Sequence, residues 1–362
     1  MNRHSNIEIL RILSMILIIM HHYSVHGGFV LEPSMISLNK IIVQFLSAGG
    51  KLGVNCFILI TGYFLIKSSF KFEKLVKLLF SVFAYSASIY TIFVIYGLID
   101  FNLKQAVKSF FPILFNQYWF ATSYVLLYIF SPYLNIFINA LDKRKHLNLI
   151  ILLIILWSVI PTFTTAELEF STLGWFATLY IIAAYIRLYP NNWFGKSKEN
   201  IYISISTYAL ILLSIICFNI IGIIISLFGS HATYLMGINK LPLLFCAITL
   251  FLGFKNININ NHKSINVVAS SMFGVYLIHD NNLIRYLLWI DVFKNSSYYV
   301  SPYLIIHAMI VIFIVFSICV VIDQIKYIFI EKPFFRLIEP SLKTGLEHLK
   351  LKIKLWLTIG ST

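Results

Sequence analysis

Apolar residues in this chain gather into runs of about twenty, the length a helix needs to cross a hydrocarbon core of about 30 Å. Short polar or basic segments separate the runs. Measured by that length, ten spans are predicted, at 7–26, 41–66, 76–98, 118–140, 147–164, 171–189, 201–228, 238–254, 266–289 and 302–330. No repeat and no low-complexity linker divides them. The pattern therefore predicts an all-α integral membrane protein with one polytopic domain over residues 1–336. Beyond it, Leu346, Leu349, Ile353 and Trp356 recur near helical spacing with lysines between them. That spacing predicts a basic amphipathic tail over 337–362, lying on the inner leaflet.

Composition agrees with the pattern. Of 362 residues, 59% are hydrophobic and 12% charged, against about 25% charged in soluble domains. The net charge of +14 would prompt a search for a nucleic-acid face in a soluble protein. Here it follows membrane topology, because Lys and Arg accumulate in cytoplasmic loops. With the N-terminus inside, 20 of the 28 basic residues fall in alternate, cytoplasmic segments, five fall outside, and Arg11, Lys51 and Arg285 lie within spans. Both termini are thus expected in the cytoplasm, with no nucleic-acid partner. Trp119, Trp175 and Trp289 fall near predicted outer span ends, where amphipathic rings favour the interface. The four cysteines stand singly in apolar stretches, which predicts small buried hydrophobes and neither a disulfide framework nor a structural metal. The first apolar run leads into His21-His22-Tyr23 with no small-residue cleavage site, so this span is expected to be retained.

Ionisable side chains at membrane depth cost about 2.5–3.5 kcal/mol even on lenient insertion scales, so each is a functional candidate by default. The first span carries Glu8, Arg11, His21 and His22. Glu8 and Arg11, three apart, share a helix face and can pair. Arg11 and His22 are eleven apart, which leaves them offset by about 20° and separated by about 16 Å along the axis. Such a stripe suits a tunnel entered from the cytosol, with a cation at its mouth and a proton acceptor deeper in. The alternative is that Arg11 snorkels to inner phosphates and His22 touches the outer interface. His21 lies 100° away and reads as a packing neighbour; His26 falls just outside the membrane. In the second span Lys51 and Asn55, four apart, predict a polar lining, and the nearby glycines predict close helix packing. Lys74 and Lys77 form a basic inner rim able to hold phosphates as point charges. The ninth span carries Tyr276, His279, Asp280 and Arg285. Adjacent helical positions do not face each other, so a His279–Asp280 dyad is not expected. Glu331-Lys332-Pro333 closes the last span, and Glu331 can pair with an inner-rim lysine.

These segments, in this order, resemble the membrane acyltransferase-3 family over residues 5 to 336. The family's first-span motif, a basic residue and a histidine with ten others between, is met by Arg11 and His22, with its acidic residue at Glu8. Its phenylalanine-rich second-span stretch is met by Phe57 to Phe64, with Thr61 at the usual serine. Two basic residues three apart are Lys74 and Lys77, lysines where the family has arginines. The late tyrosine-leucine-isoleucine-histidine motif is Tyr276 to His279, and the closing motif is Glu331 to Pro333. The resemblance implies a bacterial cytoplasmic-membrane O-acyltransferase moving an acyl group, usually acetyl, from cytosolic acetyl-CoA, with no metal. The acceptor it implies is a hydroxyl of a surface polysaccharide or glycolipid at the outer face, reached among membrane lipids and alongside polysaccharide-assembly proteins. His22, as general base or acyl carrier, and then His279 and Glu331 become catalytic candidates. Arg11, Lys74, Lys77, Glu8, Lys51, Asn55 and Tyr276 become candidates for binding substrate or acyl-CoA. The competing class is an exporter or flippase of a polysaccharide or lipid-linked sugar, since intramembrane charges also mark transport paths.

Overall fold

No water is present in a bilayer core to satisfy backbone groups, so a chain this apolar must close its hydrogen bonds within helices. The computed structural model describes residues 4–164, 166, 168–338 and 340, and among them there are helices and no strand. The first half contains α1 (Ser5–Val25), α2 (Leu38–Ser47), α3 (Gly49–Leu65), α4 (Phe72–Ile95), α5 (Leu103–Phe110), α6 (Trp119–Asn139), α7 (Lys143–Ile154) and α8 (Ile160–Thr164). The second half contains α9 (Thr172–Leu188), α10 (Ser197–Gly222), α11 (Ser226–Ser230), α12 (Leu241–Lys255), α13 (Lys263–Ser270), α14 (Met272–His279), α15 (Asn282–Tyr286) and α16 (Leu304–Lys326). Helix starts follow local capping chemistry. The side chains of Ser37, Asp142 and Ser171 accept from the backbone N–H groups of Lys40, Lys145 and Gly174.

Eight helical stretches among the described residues are long and apolar enough to cross a membrane. They match eight of the ten expected spans, and the chain is an all-α, multi-pass membrane protein. The sixth expected span is the shorter α9, with 17 residues, or about 26 Å of helix. Ten of the 17 residues of α9 are buried among other helices, so lipid thickness does not set its length. The ninth expected span, 266–289, is not one helix. It breaks after Ser270 and again at Asp280–Asn281, into α13, α14, α15 and a π-helical turn at Leu287–Val292. Asn281 causes the second break, its side chain accepting from the N–H of Leu283 to start α15. The amphipathic tail expected from Leu346 to Trp356 lies outside the described residues.

Burial separates core from rim. In the most apolar window of the α2–α3 stretch, 72% of residues are buried, against 17% for α10, so the former faces protein and the latter lipid. Helices α1, α3, α9 and α12 pack on one another at the centre. Two tryptophans expected at the interface are in the core instead. Trp175 donates to Asn55 Oδ1 at 3.1 Å, and Trp289 meets Tyr23 edge to face. Cys56, Cys246 and Cys319 are buried as expected of small hydrophobes, whereas Cys217 is exposed on α10.

The contact that positions the first span is the seam between α1 and α3. A Cβ on Gly53 would lie 2.4 Å from the Ser14 carbonyl oxygen, and one on Gly50 would lie 2.4 Å from the His21 side chain. Only glycine allows backbones this close. The prediction is that Gly53→Val lowers stability by about 1–3 kcal/mol, the usual overpacking penalty, read as an earlier thermal unfolding midpoint in detergent. An unchanged midpoint would show that the seam tolerates separation.

Candidate active site

Four histidines meet where α1 ends: His21 and His22 lie near its C-terminus, His26 is its C-cap, and the ninth span brings His279. His22 is buried, 8% exposed. Its Nδ1 lies 2.9 Å from Nε2 of His279 and 3.6 Å from Oδ1 of Asp280. The rings of His21 and His26 lie 5.7 and 5.1 Å from the His22 ring. Asp280 is the C-cap of α14, its N–H still donating to the Tyr276 carbonyl at 3.0 Å, and both it and His279 reach His22. Among the described residues His279 and Asp280 make no direct hydrogen bond to each other; His22 stands between them and meets both. Asp280 in turn holds Arg285, with Nη2 donating at 2.8 Å to Oδ1 and at 3.0 Å to the backbone oxygen.

Donor accounting fixes the tautomers. His279 Nδ1 lies 2.5 Å from the carbonyl oxygen of Val275. A carbonyl only accepts, so Nδ1 of His279 carries the proton and its Nε2 accepts. His22 must then donate from Nδ1, and in the neutral ring its own Nε2 carries no proton. The neutral imidazole is locked with its basic nitrogen away from His279. His22 lines a cavity of about 180 Å³ together with His21, His26, Lys51, Trp119, Phe120, Tyr276, Asp280 and Arg285. At about 30 Å³ per water, that is room for about six waters. The arrangement can accept a proton from a bound hydroxyl and stabilise the resulting imidazolium with Asp280.

The remaining sequence-predicted residues divide between this cavity and elsewhere. Lys51 and Tyr276 line the cavity. Asn55 does not. It is fully buried and joins three elements, accepting from Trp175 and donating to the Ile238 carbonyl at 2.8 Å; the expected polar lining ends at Lys51. Lys74, Lys77 and Glu331 line a separate groove of about 650 Å³. There Lys74 lies over the Tyr128 ring, Lys77 over the Phe335 ring, and Glu331 pairs with Lys326 at 2.8 Å. Glu331 is therefore a groove residue and not a neighbour of His22. Glu8 is buried and pairs with Arg11 at 3.2 Å. Arg11 lines neither the groove nor the cavity.

Among the described residues the groove and the cavity do not join into one tunnel. Groove and cavity share no lining residue. Between them stand Phe273 on the groove side and Phe120 and Tyr276 on the cavity side, with Tyr124 packed against Phe120 and Phe273. Their ring centroids lie 5.3 to 6.5 Å apart. Aromatic packing closes the path that the Arg11–His22 stripe suggested.

Sequence reasoning did not select Asp280, Arg285 or His26 as site residues. The signal that would have found the first two is Asp280-Asn281-Asn282, three residues that favour caps and turns over helix interiors, in the middle of an apolar run. A metal is a further possibility to weigh. Donor atoms of His22, His26 and Asp280 lie within 4.8 Å of one another. Arg285 already occupies Asp280, and Lys51 adds a second positive charge, so this set disfavours a divalent cation.

A model of the acyltransferase-3 family, described as an acyltransferase domain, matches residues 4–323, and the chain belongs to that family of membrane acyltransferases. No curated protein and no solved structure gives a match.

The Asp280–Arg285 pair predicts non-additive stability. Arg285→Met leaves a carboxylate 2% exposed without its cation, a loss of about 3 kcal/mol or more. Adding Asp280→Asn removes the stranded charge, and the double variant should recover part of that loss in detergent thermal melts. A double variant as unstable as the sum of both singles would contradict the pairing.

Proposed function

We propose that this chain is an O-acyltransferase that moves an acetyl group from acetyl-CoA to a hydroxyl of a cell-surface polysaccharide or glycolipid, with His22 as general base. The observation that carries the reading is the tautomer lock. A buried imidazole with Nδ1 committed to His279 and Nε2 bare is what hydroxyl activation requires at neutral pH. His279 is the positioning residue that orients the ring, and Asp280 is the counter-charge for the imidazolium. The same lock disfavours transient acylation of His22 Nδ1.

In this reading Lys74 and Lys77 attract the phosphates of coenzyme A into the basic groove as point charges, on the cytoplasmic side by the distribution of basic loops. The Arg11–Glu8 pair braces the start of α1 instead of touching the donor in the resting state. The thioester arm reaches His22 when Phe120, Phe273 and Tyr276 rotate aside. His22 Nε2 removes the acceptor proton, the oxygen attacks the thioester carbonyl, and the thiolate leaves with that proton as free CoA.

His22→Ala should abolish transfer of labelled acetyl from acetyl-CoA to membrane-extractable glycan while leaving membrane insertion intact. Transfer at the wild-type rate in that variant would remove the assignment. Deleting the gene in the bacterium that carries it should leave full-length surface polymer lacking an O-acetyl signal by proton NMR. Loss of the polymer itself would favour export over acylation.

A further inference from the structure

The charged groups lining the cavity do not balance. Arg285 is neutralised by Asp280 at 2.8 Å, and His22 is neutral in the tautomer scheme above. Lys51 is left over. Its Nζ lies 4.7 Å from the centre of the Trp119 ring, and among the described residues it makes no ion pair and donates no hydrogen bond to protein. An aromatic face holds a cation in place by its quadrupole without neutralising it. A lysine head group at membrane depth would otherwise snorkel or pair. The half-buried Lys51 does neither. Trp119 pins it over the space that His22 also lines.

We propose that Lys51 is a catalytic residue that stabilises the oxyanion formed on the acyl carbonyl during transfer. This rests on the acyltransferase reading above and extends it to the charge that reading creates. His22 Nε2 takes the hydroxyl proton as the acceptor oxygen bonds to the carbonyl carbon. The carbonyl π pair moves onto oxygen, giving one negative charge where the cavity carries one unbalanced positive charge. The C–O double bond then reforms, the C–S bond breaks, and the thiolate takes the proton from the His22 imidazolium. Lys51 gains its ionic partner only while the tetrahedral intermediate exists, the condition under which an interaction raises turnover instead of tightening ground-state binding. Asp280 is committed to Arg285 and makes no ion pair with Lys51 among the described residues.

The test uses membranes of the deletion strain carrying wild type, Lys51→Met, Lys51→Arg or His22→Gln, matched for protein amount by immunoblot. The readout is the initial rate of labelled acetyl transfer to the endogenous acceptor across a range of acetyl-CoA concentrations. Lys51→Met should lower kcat by about 10²–10³-fold, the usual cost of removing one oxyanion donor, with KM for acetyl-CoA within about twofold. Lys51→Arg should retain part of the rate by keeping the charge. A Lys51→Met rate within threefold of wild type, beside an inactive His22→Gln, overturns the role of Lys51 and leaves the base assignment standing. An active His22→Gln overturns the underlying reading instead. A defect confined to KM makes Lys51 a donor-binding group and overturns the proposal. So does a defect that disappears once acceptor carboxylates are blocked as amides, which identifies Lys51 as a receptor for an anionic acceptor. An unaltered thermal unfolding midpoint for Lys51→Met shows that the loss is not one of folding.

Discussion

The hydrogen bond from His22 Nδ1 to His279 Nε2 carries the rest of the site, because it joins α1 to the broken ninth span and fixes which nitrogen faces the cavity. Asp280, the C-cap of α14, lies beside it, its Oδ1 3.6 Å from the same His22 Nδ1. Asn281 makes the break stable by capping α15, and its amide nitrogen donates to the Tyr118 hydroxyl at 2.6 Å, tying the turn to the start of α6. A helix interruption at membrane depth needs its freed polar groups satisfied within protein. Here the groups that satisfy them are also the groups that surround His22.

The α1–α3 seam supplies the opposing wall. Glycines at 50 and 53 bring the backbones together, the His21 Nδ1 donates to the Ser47 carbonyl at 2.7 Å, and Lys51 is thereby delivered to the cavity. The same seam buries Asn55 beyond reach of any substrate, so two polar residues one turn apart have different duties. Lys51 faces space and Asn55 bridges helices. Elsewhere the structure handles buried cations differently. Lys40 donates to the carbonyls of Glu32 and Met35 at 2.7 and 2.8 Å, and Lys240 to the Pro161 carbonyl at 2.7 Å. Those lysines are satisfied by protein, which sets Lys51 apart.

Much of the scaffold is legible in the sequence, because run length and polarity report directly on a bilayer. The Glu8–Arg11 pair and the burial of His22 follow from helical spacing on one continuous helix. What the sequence obscures is tertiary. Periodicity assumes a helix continues, so no local pattern shows that the ninth span breaks after Asp280 and folds Arg285 back onto it. The expectation that Trp175 and Trp289 sit at an interface weighs ring chemistry alone, and a core hydrogen bond or ring contact overrides it. The aromatic layer of Phe120, Tyr124, Phe273 and Tyr276 draws on two distant segments, and no local pattern announces that they converge. Glu331 carries the family's closing motif, yet its partner is Lys326 in the groove and its neighbourhood is not that of His22.

The claim on which the account turns is the protonation pattern of His22, and nitrogen NMR of the histidine-labelled protein in lipid reads it directly. At neutral pH the account predicts a bare Nε2 and a protonated Nδ1 on His22, with the opposite pattern able to appear once His279 is replaced by alanine. A His22 protonated on Nε2 in the wild-type protein, or a pattern indifferent to His279, would contradict it.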